Sequence, residues 1–192
     1  MATATSVATL KRTYPRPIAA DGLSVELSRI GPGDRNDVVA FARALGEHDH
    51  LFLRMDLTDP KVVDDLIRDQ GGDQRITLIA RDGGSLVGYG SLIREPVLWT
   101  RHLGEIRVIV AQSHRAKGLG VALAREIFQI AKEVGLRKVI ARMALRQEGA
   151  RRMFERIGFH AEALLSDWVV DRNDRTHDLL VMSYDLTSLT SE

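Results

Sequence analysis

Apolar and polar residues alternate along "LSVELSRI" (23–30), the period-two pattern of a half-buried strand. The period then lengthens. "GPGDRNDVVAFARALG" (31–46) opens with turn residues and sets Val38, Val39, Phe41, Ala42 and Leu45 on one helical face. Residues 47–60 carry no regular pattern. Pro60 then opens a second helix within "DPKVVDDLIRD", where its missing N–H costs nothing. "QRITLIARDGGSLVGYGSLIRE" predicts two strands joined at Asp82-Gly83-Gly84, and "GEIRVIVAQ" a third. Across 118–134, Leu119, Leu123, Ile127, Ile130 and Val134 recur at steps of four, four, three and four, a buried stripe that Gly135 ends. "RKVIARM" reads as a strand, "QEGARRMFERIG" as a helix, "FHAEALLSDWVVD" as a strand and "LLVMSYDL" as the last strand. The order β α α β β β α β α β β describes one mixed α/β domain over 23–192. Residues 1–22 are expected to form a flexible or partly ordered tail.

Bulk properties narrow the classes of function. The 192 residues suffice for one core, and 44% apolar with 28% charged residues is ordinary for a soluble globule. A net charge of +1 gives no global pull toward nucleic acid or an anionic membrane, so neither is an expected partner and any anion site must be local. With no cysteine, thiolate nucleophiles and Cys-ligated zinc are excluded, and no His spacing suits a metal. No apolar run approaches the ~20 residues of a membrane span, and the opening lacks an apolar core of signal-peptide type, so a cytoplasmic location is expected.

"HRAKGLG" (114–120) stands where the third strand of the central block ends and the long helix begins. As a plain turn, it needs only the backbone freedom of its glycines. As an anion cradle, it would offer a phosphate the free N–H groups and positive dipole end of the helix, with Arg115 and Lys117 beside them. The spacing R-x-x-G-x-G, the strand before it, the helix after it, the next strand and a helix closing on "RIGF" together resemble the GNAT acetyltransferase superfamily. The order of elements from about Leu23 to Leu186 follows that family, and the specific part runs from Glu105 to Phe159.

The resemblance implies a strongly twisted mixed sheet of six to seven strands with helices on both faces, and acetyl-CoA as cosubstrate with no metal. It also implies direct acetyl transfer to a primary amine. Arg115, Ala116, Lys117, Gly118, Leu119 and Gly120 would then hold the coenzyme's diphosphate. Val108, Ile109 and Val110 would lie along the thioester and its arm, with backbone contacts at Val108 and Val110, and Gln147 and Phe154 of the closing motif would also bind the coenzyme, Phe154 by packing on its pantetheine arm or else lying in the core. Glu105 is the candidate base; its plainer alternative is a pair with Arg107. A base matters because an amine of pKa near ~10.4 is neutral in about one molecule in ~2,500 at pH 7, a deficit of roughly 4–5 kcal/mol.

"QEGARRMFERIGF" departs from the family form N-x-x-A-x-x-x-Y-x-x-x-G-F: Gln147 replaces Asn and Phe154 replaces the Tyr that often protonates the leaving thiolate. Tyr89, Tyr184, His160 or water are the substitutes the sequence offers. The departure motivates a second class, a non-catalytic acyl-CoA-binding sensor. Arg146, Arg151 and Arg152 are either a phosphate contact or a solvated helix face. Trp99 and His102 are expected either to line the acceptor pocket or, for Trp99, to cap the core. His48, Asp49, Asp56 and Asp59 are weighed as attractors of a cationic amine. The acceptor is expected to be a small amine (amino acid, polyamine or drug), or else a protein lysine or N-terminus. A homodimer is implied by resemblance alone.

Overall fold

The computed structural model describes residues 10–187 apart from Leu51, Phe52, Arg54, Gly72, Asp73, Pro96 and Arg172, with Glu47 and His48 described by backbone only. The strands are β1 (Arg16–Ala20), β2 (Leu23–Arg29), β3 (Arg75–Asp82), β4 (Ser85–Ile93), β5 (Leu103–Val110), β6 (Lys138–Ala144), β7 (His160–Val170) and β8 (Thr176–Asp185). The α-helices are α1 (Arg35–Arg43), α2 (Glu47–His50), α3 (Pro60–Arg68), α4 (Leu119–Glu133) and α5 (Glu148–Arg156). The strands form one sheet of order β1-β2-β3-β4-β5-β6-β8-β7. Every neighbouring pair is antiparallel except β5 and β6, which run parallel because α4 carries the chain across.

Apolar alternation sorts the side chains into two cores. Val25, Leu27, Leu78, Ala80, Leu92 and Ile106 face α4 and α5. Ile79 and Tyr89 face α1 and α3. Helix α4 lies close on the sheet because β4 is bare beneath it: a Cβ at Gly88 would stand 2.8 Å from Leu123 Cδ1, and one at Gly90 3.2 Å from Ile127 Cγ1. Among the described residues, no helix is long and apolar enough to cross a membrane.

Among the described residues the sheet has eight strands, against the expected six to seven. The added strand lies in the segment assigned to the tail, where β1 pairs with β2 through an Asp21–Gly22 turn with φ of +28° and +83°. Asp-Gly is the residue pair that such a two-residue hairpin favours, and Pro17 is tolerated because β1 is a sheet edge. The irregular stretch 47–60 also holds the short α2, and the last strand starts at Thr176 instead of 179.

Side chains fasten this N-terminal segment to α4. The buried Glu126 carboxylate accepts from Tyr14 Oη (2.7 Å) and pairs with Arg12 Nη1 (3.3 Å) and Arg16 Nη1 (3.4 Å), while Arg12 Nε reaches Glu133 (3.0 Å). Burial, and then the Glu126 carboxylate, push the Tyr14 phenol well above its ordinary pKa. Glu126→Ala strips Tyr14 and Arg16 of this partner and leaves Arg12 only Glu133, so we expect it to cost about 2–3 kcal/mol, read as a lower urea midpoint at constant m-value. An unmoved midpoint would contradict the clasp.

Candidate functional site

The site is built where two parallel strands part. β5 pairs with β4 from Glu105 to Val110, yet with β6 only from Leu103 to Glu105; β6 instead follows β8 as far as Ala144. Ala111 N donates to Val87 O (2.9 Å), which sets the phase of the antiparallel ladder. Ile109 and Arg107 therefore turn their backbone groups to β4. Ile106, Val108 and Val110 turn theirs to the opening beside β6. The Val110 carbonyl there accepts from Arg115 Nε at 3.1 Å.

The chain then folds into a cradle. Ala116 and Gly118 both take positive φ, +58° and +71°, so successive amides turn inward as a concave nest. The first backbone bond of α4 runs from Ala122 N to Gly118 O (3.0 Å), leaving the N–H groups of Leu119, Gly120 and Val121 at the helix mouth. Leu119 is fully buried, so only its backbone serves the cradle. Gly120 faces α5, where a Cβ would come 3.0 Å from Met153 Sδ. Lys117 Nζ donates to Ser113 O (2.8 Å), and His114 ties the turn to the β3–β4 hairpin through Asp82 (3.0 Å).

This cradle suits a diphosphate. Two of the chain's own carboxylates also reach it. Asp49 of α2 holds Arg115 Nη2 at 2.6 Å, and the Asp21 carboxylate lies 2.8 Å from where a Gly118 Cβ would stand. A diphosphate taking Arg115 must first displace Asp49. We expect Asp49→Asn to tighten CoA binding about 2- to 5-fold, the worth of a half-exposed ion pair, when measured by calorimetry. Weaker binding would contradict the competition.

Glu105 lies at the root of the opening, 5% exposed at its side chain. Arg107, its neighbour on the same face of β5, donates from Nη2 to Oε1, and Arg142 Nη2 of β6 stands 3.3 Å from Oε2. The expected pair with Arg107 is present, and Arg142, which the sequence did not single out, completes a trio. Its signal was periodicity: Val139, Ala141 and Met143 face the core, so Arg142 falls on the opposite side with Glu105.

Other residues lie elsewhere. Phe154 is buried edge-on against Phe159 (4.9 Å), so its ring belongs to the core. Gln147 Oε1 accepts from Ala144 N (3.2 Å) and fastens the end of β6. Tyr184 packs on Phe128 (4.6 Å), more than two helical turns from the mouth of α4. His160 is three strands from Glu105, about 14 Å across the sheet. Tyr89, beside Ile109, is on the Glu105 face but buried on β4, with β5 between it and the opening. Arg151 and Arg152 pair with Glu155 (3.7 Å) and Glu148 (2.7 Å) of their own helix, a solvated-face arrangement. Trp99 is 81% exposed and does not cap the core. The acids weighed as amine attractors are engaged: Asp49 by Arg115, Asp56 by Thr58 (2.6 Å to its hydroxyl), and Asp59 by the Lys61 N–H (2.8 Å) at the start of α3. The His48 side chain, and Leu51, Phe52 and Arg54 of "LFLRMDL", lie outside the described residues.

Comparison with known proteins gives a consistent picture. The family model for the acetyltransferase (GNAT) family matches residues 36–159. N-acetyltransferase 8 of Rattus norvegicus is 31% identical over 99 residues, covering 48% of this chain and 45% of that protein. N-acetyltransferase 8 of Mus musculus is 30% identical over 99 residues, covering 48% and 44%. The matched stretch thus spans less than half the length of these curated relatives. Among solved structures, the GNAT-family acetyltransferase from Streptococcus pneumoniae superposes with a TM-score of 0.74 at 20% identity, over 84% of this chain and 99% of that one. The Salmonella typhimurium protein yncA, solved with its cofactor acetyl-CoA, gives 0.70 at 21% identity, over 84% and 94%.

Proposed function

The chain belongs to the GNAT family of acetyltransferases, and from that premise we propose that it is an acetyl-CoA-dependent N-acetyltransferase acting by direct transfer to a primary amine. The observation that carries the reading is the junction of β5 and α4: an unpaired strand edge ending in a nest of amides at a helix mouth, with Arg115 and Lys117 alongside. The coenzyme, when bound, supplies an acyl group activated as a thioester. The amides of 116–121 hold its diphosphate, as does Arg115 once it leaves Asp49, and the Val108 and Val110 backbone edges align its arm. Glu105, oriented by two guanidiniums, receives the acceptor's proton. Without a cysteine to carry the acyl group, transfer is direct. The acceptor is a small amine or a protein lysine or N-terminus, and the setting is cytoplasmic.

One observation favours a second reading, an acyl-CoA-binding module without turnover: Phe154 is buried, so the closing helix brings no phenol to the opening. A thiol of pKa near ~8.5 leaves acceptably at neutral pH, so loss of that acid slows turnover more than it abolishes it. A panel of amines assayed for CoA thiol release, with CoA titrated alongside, separates the two. Amine-dependent release is the expected result; binding without release would favour the module.

A further inference from the structure

On that reading of the site, the coenzyme enters a cradle that the chain already supplies with anions of its own. The mouth of α4 favours negative charge whether a ligand brings it or the protein does. Two carboxylates from distant parts of the chain stand there. Asp49 of α2 holds Arg115 Nη2 at 2.6 Å, while Arg115 Nε stays on Val110 O (3.1 Å). Asp21 brings Oδ2, Cγ and Oδ1 to within 2.8, 2.9 and 3.2 Å of the point that a Gly118 Cβ would occupy. Its whole carboxylate is thus laid against the residue whose φ of +71° shapes the nest. The turn's other charged groups have different partners: Lys117 Nζ donates to Ser113 O (2.8 Å), and Asp82 meets His114 (3.0 Å).

The hairpin that carries Asp21 is pinned. Ala20 and Val25 are buried in the core they share with α4, and Ile18 and Leu23 pack against it. Behind them, Glu126 holds Tyr14, Arg12 and Arg16, and Glu133 holds Arg12 and the Lys11 N–H (3.0 Å). β1 therefore lies along α4 as a strap with its tip at the helix mouth. The turn itself does not call for a charge. Asn-Gly favours the same two-residue hairpin as Asp-Gly, so the carboxylate goes beyond what pairing β1 with β2 requires.

We propose that Asp21 and Asp49 together form a built-in counter-anion that a bound diphosphate must displace, an autoinhibitory contact that biases the cradle against small phosphates. An internal competitor weakens every anion that takes its place by a common factor. A ligand that is little more than phosphate has no further contact to offset that factor. Coenzyme also lies along the Val108 and Val110 edges of β5, so it bears the same factor and still binds. Selection thus falls on the coenzyme's arm as well as on its charge.

The test titrates CoA calorimetrically into the full chain as wild type, Asp21→Asn, Asp49→Asn and the double variant. Inorganic pyrophosphate, read by its displacement of CoA, is the probe without an arm. Asparagine keeps the turn at 21, and far-UV circular dichroism checks that each preparation is folded. Asp21→Asn should tighten CoA about 2- to 5-fold, the worth of one exposed charge at a helix mouth. The double variant should gain about 4- to 25-fold, the product of two independent effects. Pyrophosphate should gain by the same factors. Unchanged or weaker CoA binding by Asp21→Asn overturns the inference. A gain for CoA with none for pyrophosphate also overturns it, because the effect then lies on the arm and not in the cradle. Either result leaves the transferase reading standing, since the wild-type chain still binds CoA. Failure of all four forms to bind CoA overturns both.

Discussion

Glu105→Gln should lower acceptor-dependent thiol release about 10²- to 10³-fold at pH 7 while leaving CoA affinity within about twofold. Glutamine keeps the side chain's shape, and its carbonyl can still accept from Arg107 or Arg142, so the opening between β5 and β6 persists. What it cannot do is accept the amine's proton. The variant must wait for amine that is already neutral, and that fraction rises about tenfold per pH unit below the amine's pKa of ~10.4. Its rate should therefore climb steeply between pH 7 and 9, and the gap to the wild-type enzyme should narrow. A variant with wild-type turnover at pH 7, or a gap independent of pH, would remove Glu105 from the proton's path.

Gly118→Val should cost at least ~100-fold in CoA affinity. At φ +71° a β-branched residue is strained by about 1–2 kcal/mol. Its Cβ would also stand 2.8 Å from the Asp21 carboxylate, so the β1–β2 turn must shift. The larger loss is functional. A helix mouth that no longer converges on the diphosphate forfeits charge-assisted amide bonds worth about 1.5–3 kcal/mol each, and two of these exceed two powers of ten. Gly118→Ala should fall between, because it carries the strain with less bulk. CoA binding to Gly118→Val at wild-type strength would mean that this turn is no cradle.

Much of the scaffold could be read from local pattern. The stripe on α4 and the Asp82-Gly83-Gly84 hairpin are signals contained within a few residues, and both elements stand where periodicity places them. β1 was harder: "RPIAA" has one large apolar residue and a proline on each side of its first arginine, a composition that suits an edge strand and equally a tail. The Asp21-Gly22 pair was the signal available. Helix α2, four residues long, is too short to show an apolar face.

Relations across the sheet were not legible. That Arg142 meets Glu105 depends on the register of two strands joined through α4, and that Asp49 meets Arg115 joins residues 66 positions apart. No sequence window contains either fact. The glycines and cations of the cradle could be read because one short segment holds them all. The competing carboxylates could not, since they arrive from a hairpin and a helix far up the chain.

The central claim is that backbone amides at the mouth of α4 and along the free edge of β5 hold the coenzyme. Amide hydrogen exchange with and without saturating CoA tests it most directly. Slower exchange concentrated in residues 106–121 is the predicted result. Binding that leaves those amides exchanging as they do in the free protein, or that slows a different region instead, would contradict it.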